Sequence, residues 1–165
     1  MPLAMAAASL LLEPLGLVNT AYDAVGDVVP GRVSGYTPTG DAIKPFRNAD
    51  FIDIALTGGA GAMRSTASDL CRWHHLLFRG EVLPLPLVQT MLTAGRLRNG
   101  AVSGSNRQDP QAQSMGDVQY GYGLMLDNHT INHRPIAAHH GGVSGFAAYL
   151  ASHPSSGLTY ACLCN

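Results

Sequence analysis

The residues best suited to chemistry lie in AAHHGGVSGFAAYLASHP, residues 137–154. His139 and His140 bring imidazoles, the side chains that hold or move a proton near neutral pH. Gly141 and Gly142 lack a Cβ, so a strand that carries them lets a substrate backbone approach closely. Such a wall can orient a polar group and offer backbone N–H donors. It contains no activated nucleophile. A plainer reading makes the same residues a tight turn entering a buried strand, with a histidine satisfied by a carbonyl.

Other chemistry fits less well. The segment Gly142-Val143-Ser144-Gly145-Phe146 approaches the Gly-x-Ser-x-Gly nucleophile elbow, but Phe146 stands where the second glycine belongs. His129 and His133 are four apart, with His139 and His140 nearby, and a His-x-x-x-His pair binds zinc well from a helix. Here the pair sits between Asp127-Asn128 and Pro135, which reads as a turn, so no metal is expected. His74 and His75 read as a core and a surface neighbour on one helix. Three cysteines, with no Cys-x-x-Cys, argue against both a disulfide scaffold and a metal pair. Cys162 and Cys164 would share one face of a strand, and reduced core thiols are expected.

The whole chain sets the limits on partners. Its 165 residues suit one domain, and 46% hydrophobic residues suffice for a core. A net charge of -1, with 13% charged residues and no basic cluster, leaves no electrostatic footprint for nucleic acid or an anionic membrane. The opening MPLAMAAASLLLEPLG lacks a basic n-region, and Glu13 and Pro14 cut its apolar run too short for a membrane span. That opening and the unpaired cysteines favour a cytoplasmic location over an exported one. Nine of the ten basic residues are arginine, and Lys44 is the only lysine.

Several elements would position the wall. Residues 4–12 read as the tail of a buried helix closed by Pro14 and Gly16. Residues 19–50, dense in Gly, Pro and Asp, read as a long irregular connection of turns and short extended pieces. In RSTASDLCRWHHLLFRG, Thr66 can cap a helix over 67–79 that puts Leu70, Trp73, His74 and Leu77 on one face and stops at Gly80. A shorter helix is expected from Pro86 to about Leu92, with the proline at its first position. Residues 95–118 are polar and Gly-rich and read as a surface loop. From Tyr120 the period changes to strands: YGYGLML, PIAAHH, FAAYLAS and GLTYACLC, with DNHTINHR and HPSSG as turns. Connections this short between the last strands imply antiparallel pairing.

The order EPLGLVNT, TGGAGAMRSTASDLCRW, YGYGLML, HHGGVSGFAAYLASHPSSGLTYACLCN resembles the serine β-lactamase and penicillin-binding-protein-like hydrolases, in the class C β-lactamase, esterase and D-aminopeptidase branch. The resemblance runs from about Ser9 to Asn165. It implies an α/β (α+β) fold, an antiparallel sheet flanked by helices, and a fragment of a serine hydrolase whose full-length form acts on a β-lactam, ester or D-amino-acid amide through an acyl-serine. No cofactor is implied. The family's far-wall motif, continued as His-x-Gly-Gly-x-x-Gly-Phe and anchored on Gly145-Phe146, puts its catalytic histidine at His139. His140, Gly141, Gly142 and Val143 would complete the wall, the Gly142 N–H being an oxyanion donor, while strand alternation turns His140 to the other face.

The family's other two motifs are missing. Ser-x-x-Lys needs a serine three before Lys44, where Asp41 stands. None of the six tyrosines has asparagine two residues later, and Asn106 has Gly104 two before it. The resemblance therefore implies that residues 1–165 are the C-terminal portion of one domain, with nucleophile and base upstream of Met1 in a missing N-terminal half. On that reading this chain alone is inactive. The alternatives are a catalytically inactive or degenerate binding module and, further off, a histidine-based metal site.

Overall fold

The computed structural model describes residues 2–104, 118–131 and 134–165, with only the backbone of 128–131 and 134–135. Helices accompany antiparallel strand pairs, an α+β arrangement. By contacts the chain forms two compact units. One holds residues 1–70, 140–149 and 161–165, and the other holds 71–139 and 150–160.

The first unit begins with α1 (Leu3–Ala7), which continues as a wider turn over Ala8–Leu12. Only Leu12 of this stretch is buried, so the expected buried helix is corrected: Leu3, Met5, Leu10 and Leu11 are exposed. Its alanines and leucines favour the helix without supplying a partner for its apolar sides. The long connection bears only short pieces. β1 (Ala21–Tyr22) pairs with β4 (Met63–Arg64), and β2 (Tyr36–Pro38) pairs with β3 (Phe46–Asn48). Arg64 fastens the first pair by donating to the Tyr22 carbonyl and the Asp23 carboxylate, 3.1 and 3.0 Å.

Helix α2 (Ala67–Phe78) starts as its sequence indicates. The Thr66 hydroxyl accepts the Asp69 N–H at 3.3 Å, satisfying one of the donors every helix start leaves over. Asp69, buried at the first turn, accepts the Asn19 N–H at 2.8 Å and the Thr20 hydroxyl at 2.9 Å. A carboxylate there also faces the positive end of the helix dipole. At the other end the Gly80 and Glu81 N–H groups return to the Leu77 and Leu76 carbonyls, the closure expected of a helix stopped by glycine.

In the second unit α3 (Leu85–Met91) begins one residue before Pro86, so the proline is second rather than first. The sheet strands are β5 (Val118–Tyr120), β6 (Met125–Ile131), β7 (Arg134–Val143), β8 (Phe146–His153) and β9 (Leu158–Cys164), in that spatial order. Two readings are corrected here. YGYGLML is not one strand, because β5 ends at Tyr120 and a turn intervenes before Met125. Gly123, at a φ of +73°, bends the chain there, and Gly121 lies so close to the preceding helix end that a Cβ on it would be 2.2 Å from the Met91 carbonyl oxygen. The polar DNHTI is strand and not turn, paired through Asp127↔Ile136 and Ile131↔Arg134 around an irregularity. Leu124, Leu126 and Ala137 form a core with Phe78, Met91, Leu92 and Ala94 against it. Of the expected loop 95–118, residues 105–117 lie outside the described residues; before them, Arg96 bridges to Val102.

Candidate active site

Strand β7 carries the residues singled out from the sequence, and the pairing of its neighbours explains what meets them. Tyr120 ends β5 opposite Met125, and Met125 in turn faces Ala138. That register brings the Tyr120 side chain to His139, with the phenol oxygen 3.0 Å from the ring nitrogen Nε2. The rings meet edge to face, 5.9 Å between centroids and 77° between planes. Both side chains are exposed. A phenol in this position donates to a neutral imidazole nitrogen or accepts from a protonated one, so it fixes the ring in either state.

The following residues are described within the first unit. His140 is exposed, as are Gly141 and Gly142, and Val143 is half-buried. A Cβ added to Gly141 would meet nothing within 4 Å, and one on Gly142 would come only to 3.9 Å from the Phe146 carbonyl oxygen. Among the described residues, packing gives no reason for either glycine. Gly145 differs. Its φ is +76°, a region costly to any residue with a side chain, and a Cβ would stand 2.5 Å from the Ala49 Cβ and 2.7 Å from the Gly35 Cα. Gly145 and Phe146, which anchor the register of His139, thus close the β7–β8 hairpin and pack on the connecting segment. Ser144 is the other residue of that turn, so it joins two strands rather than a strand and a helix, which removes the context a nucleophile elbow needs.

The remaining candidates separate in the same way. His74 is buried and His75 exposed, as their places on the helix suggested. The His74 Nδ1 lies 2.9 Å from the Ser152 hydroxyl, which is 2.7 Å from the Thr159 hydroxyl. Burial pushes the His74 imidazole down to about 4, so it is neutral at pH 7. The three groups satisfy one another and fasten α2 to β8 and β9. The His133 residue and the His129 side chain lie outside the described residues. Among the described residues, no group of three or more His, Cys, Asp or Glu side chains is placed to hold a metal. The cysteines correct an expectation: Cys162 and Cys164 are exposed and Cys71 is half-buried, so none is a core thiol.

Nothing local in the sequence pairs Tyr120 with His139. Its sequence neighbours match no motif, and its approach to His139 depends on a three-strand register. The one local cue was an aromatic residue closing a strand beside a glycine turn.

A family model described as Beta-lactamase matches residues 1–165. No curated protein sequence matches the chain significantly. Among solved structures, the D-stereospecific amidohydrolase from Streptomyces sp. is similar at 22% identity and a TM-score of 0.75, over 100% of this chain and 44% of that one. The octameric penicillin-binding protein homologue from Pyrococcus abyssi is similar at 18% identity and 0.72, over 98% and 33%. For the D-amino acid amidase from Ochrobactrum anthropi SV3 the figures are 20% and 0.73, over 99% and 45%. The chain thus spans less than half the length of each of these structures and shares their fold.

Proposed function

The chain belongs to the Beta-lactamase family over its whole length, and from that premise we propose that it carries the strand wall of a serine hydrolase working through an acyl-serine intermediate. The observation that carries this reading is the His139 ring, held at Nε2 by the Tyr120 phenol, on a strand that runs on into two exposed glycines, Gly141 and Gly142. Tyr120 orients the ring against the strand. Gly141 and Gly142 let the scissile carbonyl come against the strand, where the Gly142 N–H is one of two oxyanion donors. A preorganised donor of this kind contributes about 3 kcal/mol to the transition state. Val143 flanks the approach.

The nucleophile and its base come from sequence outside these residues, because Ser-x-x-Lys and Tyr-x-Asn are absent here. The substrate is a β-lactam, an ester or a D-amino-acid amide; one of the similar structures is named a D-amino acid amidase and another a D-stereospecific amidohydrolase. That same absence also supports a second reading, in which the chain is an inactive binding module. One experiment separates the two. The 165-residue chain is assayed on a chromogenic β-lactam, a p-nitrophenyl ester and a D-amino-acid anilide, alone and co-expressed with a relative's N-terminal half bearing both motifs. The hydrolase reading expects no turnover alone and saturable turnover when paired, lowered about a hundredfold or more in kcat/KM by His139→Ala. Absence of turnover in a folded, paired complex supports the binding module instead. An acyl adduct formed by the chain alone, on any of its serines, would contradict both readings.

A further inference from the structure

Cys162 and Cys164 take no part in the proposed chemistry, yet they form the chain's most defined pair of soft donors. Both are exposed on β9, the last strand in the order of the sheet, and their sulfurs are 3.7 Å apart. The spacing follows from the strand, which sends residues i and i+2 to one face with parallel Cα–Cβ bonds. The same geometry opposes a disulfide. That bond needs sulfurs about 2.05 Å apart and Cβ atoms about 3.8 Å apart, whereas residues two apart on a strand rise about 6.6 Å. A third atom bound to both sulfurs closes the gap without moving the backbone. Among the described residues no third His, Cys, Asp or Glu completes a metal cluster, so tetrahedral zinc is poorly served and a species satisfied by two sulfurs is favoured.

We propose that Cys162 and Cys164 form a two-sulfur chelating site for thiophilic species of the trivalent arsenical type. With an organoarsenic(III) oxide, each thiol gives up its proton and each sulfur forms a bond to arsenic. The oxide oxygen leaves with both protons as water, and no atom changes oxidation state. The Cys164 thiol is raised above its ordinary range by its hydrogen bond to Cys162 and by the neighbouring charge.

The probe is phenylarsine oxide, titrated into the reduced 165-residue chain and followed by intact mass and by loss of free thiols. The expected result is one adduct per chain that consumes two thiols, survives excess glutathione and is reversed by a small dithiol. Cys162→Ser and Cys164→Ser should each weaken binding at least about a hundredfold, since the second bond of a chelate acts at high effective concentration. Cys71→Ser should leave it unchanged. Both β9 cysteines are exposed, so neither substitution removes core packing. An adduct that persists in either β9 variant, that needs Cys71, or that joins two chains would overturn the site.

Discussion

Replacing Gly145 by alanine tests whether the hairpin that fixes the register of β7 is held by conformation, by contact, or by both. Gly145 and Gly157 both sit in β-hairpin turns with nearly equal φ, +76° and +72°. Their surroundings differ. A Cβ on Gly157 meets nothing within 4 Å, while one on Gly145 falls 2.5 Å from the Ala49 Cβ and 2.7 and 2.8 Å from the Gly35 Cα and carbonyl carbon. These neighbours are backbone or a bare methyl, and they are tied together by the Ala49 N–H to Gly35 carbonyl bond of 2.9 Å. They have little room to yield. The left-handed backbone costs a residue with a side chain about 1–2 kcal/mol at either position, and an overpacked site adds about 1–3 kcal/mol. The unfolded-state gain from alanine is common to both substitutions and cancels. Gly145→Ala should therefore be less stable than Gly157→Ala by about 1–3 kcal/mol. With a slope of about 1–3 kcal/mol/M in urea, the midpoints should differ by about 1 M. Equal midpoints would refute the packing argument and leave Gly145 as a turn residue only.

Two further outcomes follow from polar groups. The unfolded chain protonates its histidines near 6.5, whereas His74 in the fold takes a proton only near 4, so acid favours unfolding. The stability held by neutral His74 is complete above pH 6.5 and is lost as pH falls toward 4, by up to about 3 kcal/mol; urea midpoints across that range should show an acid limb that His74→Gln flattens, and an unchanged limb would exclude His74 as its source. Tyr120→Phe removes the phenol at Nε2 of His139; the His139 ring-nitrogen shifts should move in an NMR titration while those of His140 stay within error, and identical His139 shifts in both proteins would rule out a positioning role.

Local signals were read well where they alone decide the outcome. Thr66, the 3.6-residue period after it and Gly80 are enough to define α2, and the alternation in FAAYLAS and GLTYACLC is enough for β8 and β9. Signals that depend on distant partners were read less well. DNHTI has the residues of a turn but becomes strand because β5 and β7 flank it, and tertiary pairing outweighs propensity in such a segment. The leucines before Pro14 indicate a helix, yet nothing within eight residues says whether its apolar sides are covered. Cys162 and Cys164 were correctly placed on one face of a strand, but hydrophobic character alone does not say which face is inside. For the candidate site, the resemblance points to His139 and its glycines, while Tyr120 meets His139 only through the register of three strands.

The first unit is assembled from three stretches of chain, 1–70, 140–149 and 161–165, and this has a consequence for how the protein is made. When residue 70 leaves the ribosome, the Asp69 contacts to Asn19 and Thr20 can already form, but Gly35 and Ala49 still lack the Gly145 hairpin against which they pack. At about 5–20 residues per second, that hairpin is synthesised roughly 4–15 s later. Throughout that interval the surface at Gly35 and Ala49, which the Gly145 hairpin later covers, stays open. A rare-codon pause between residues 70 and 140 would lengthen the exposure and raise the demand for a holding chaperone. The same pause after residue 150 would cost far less.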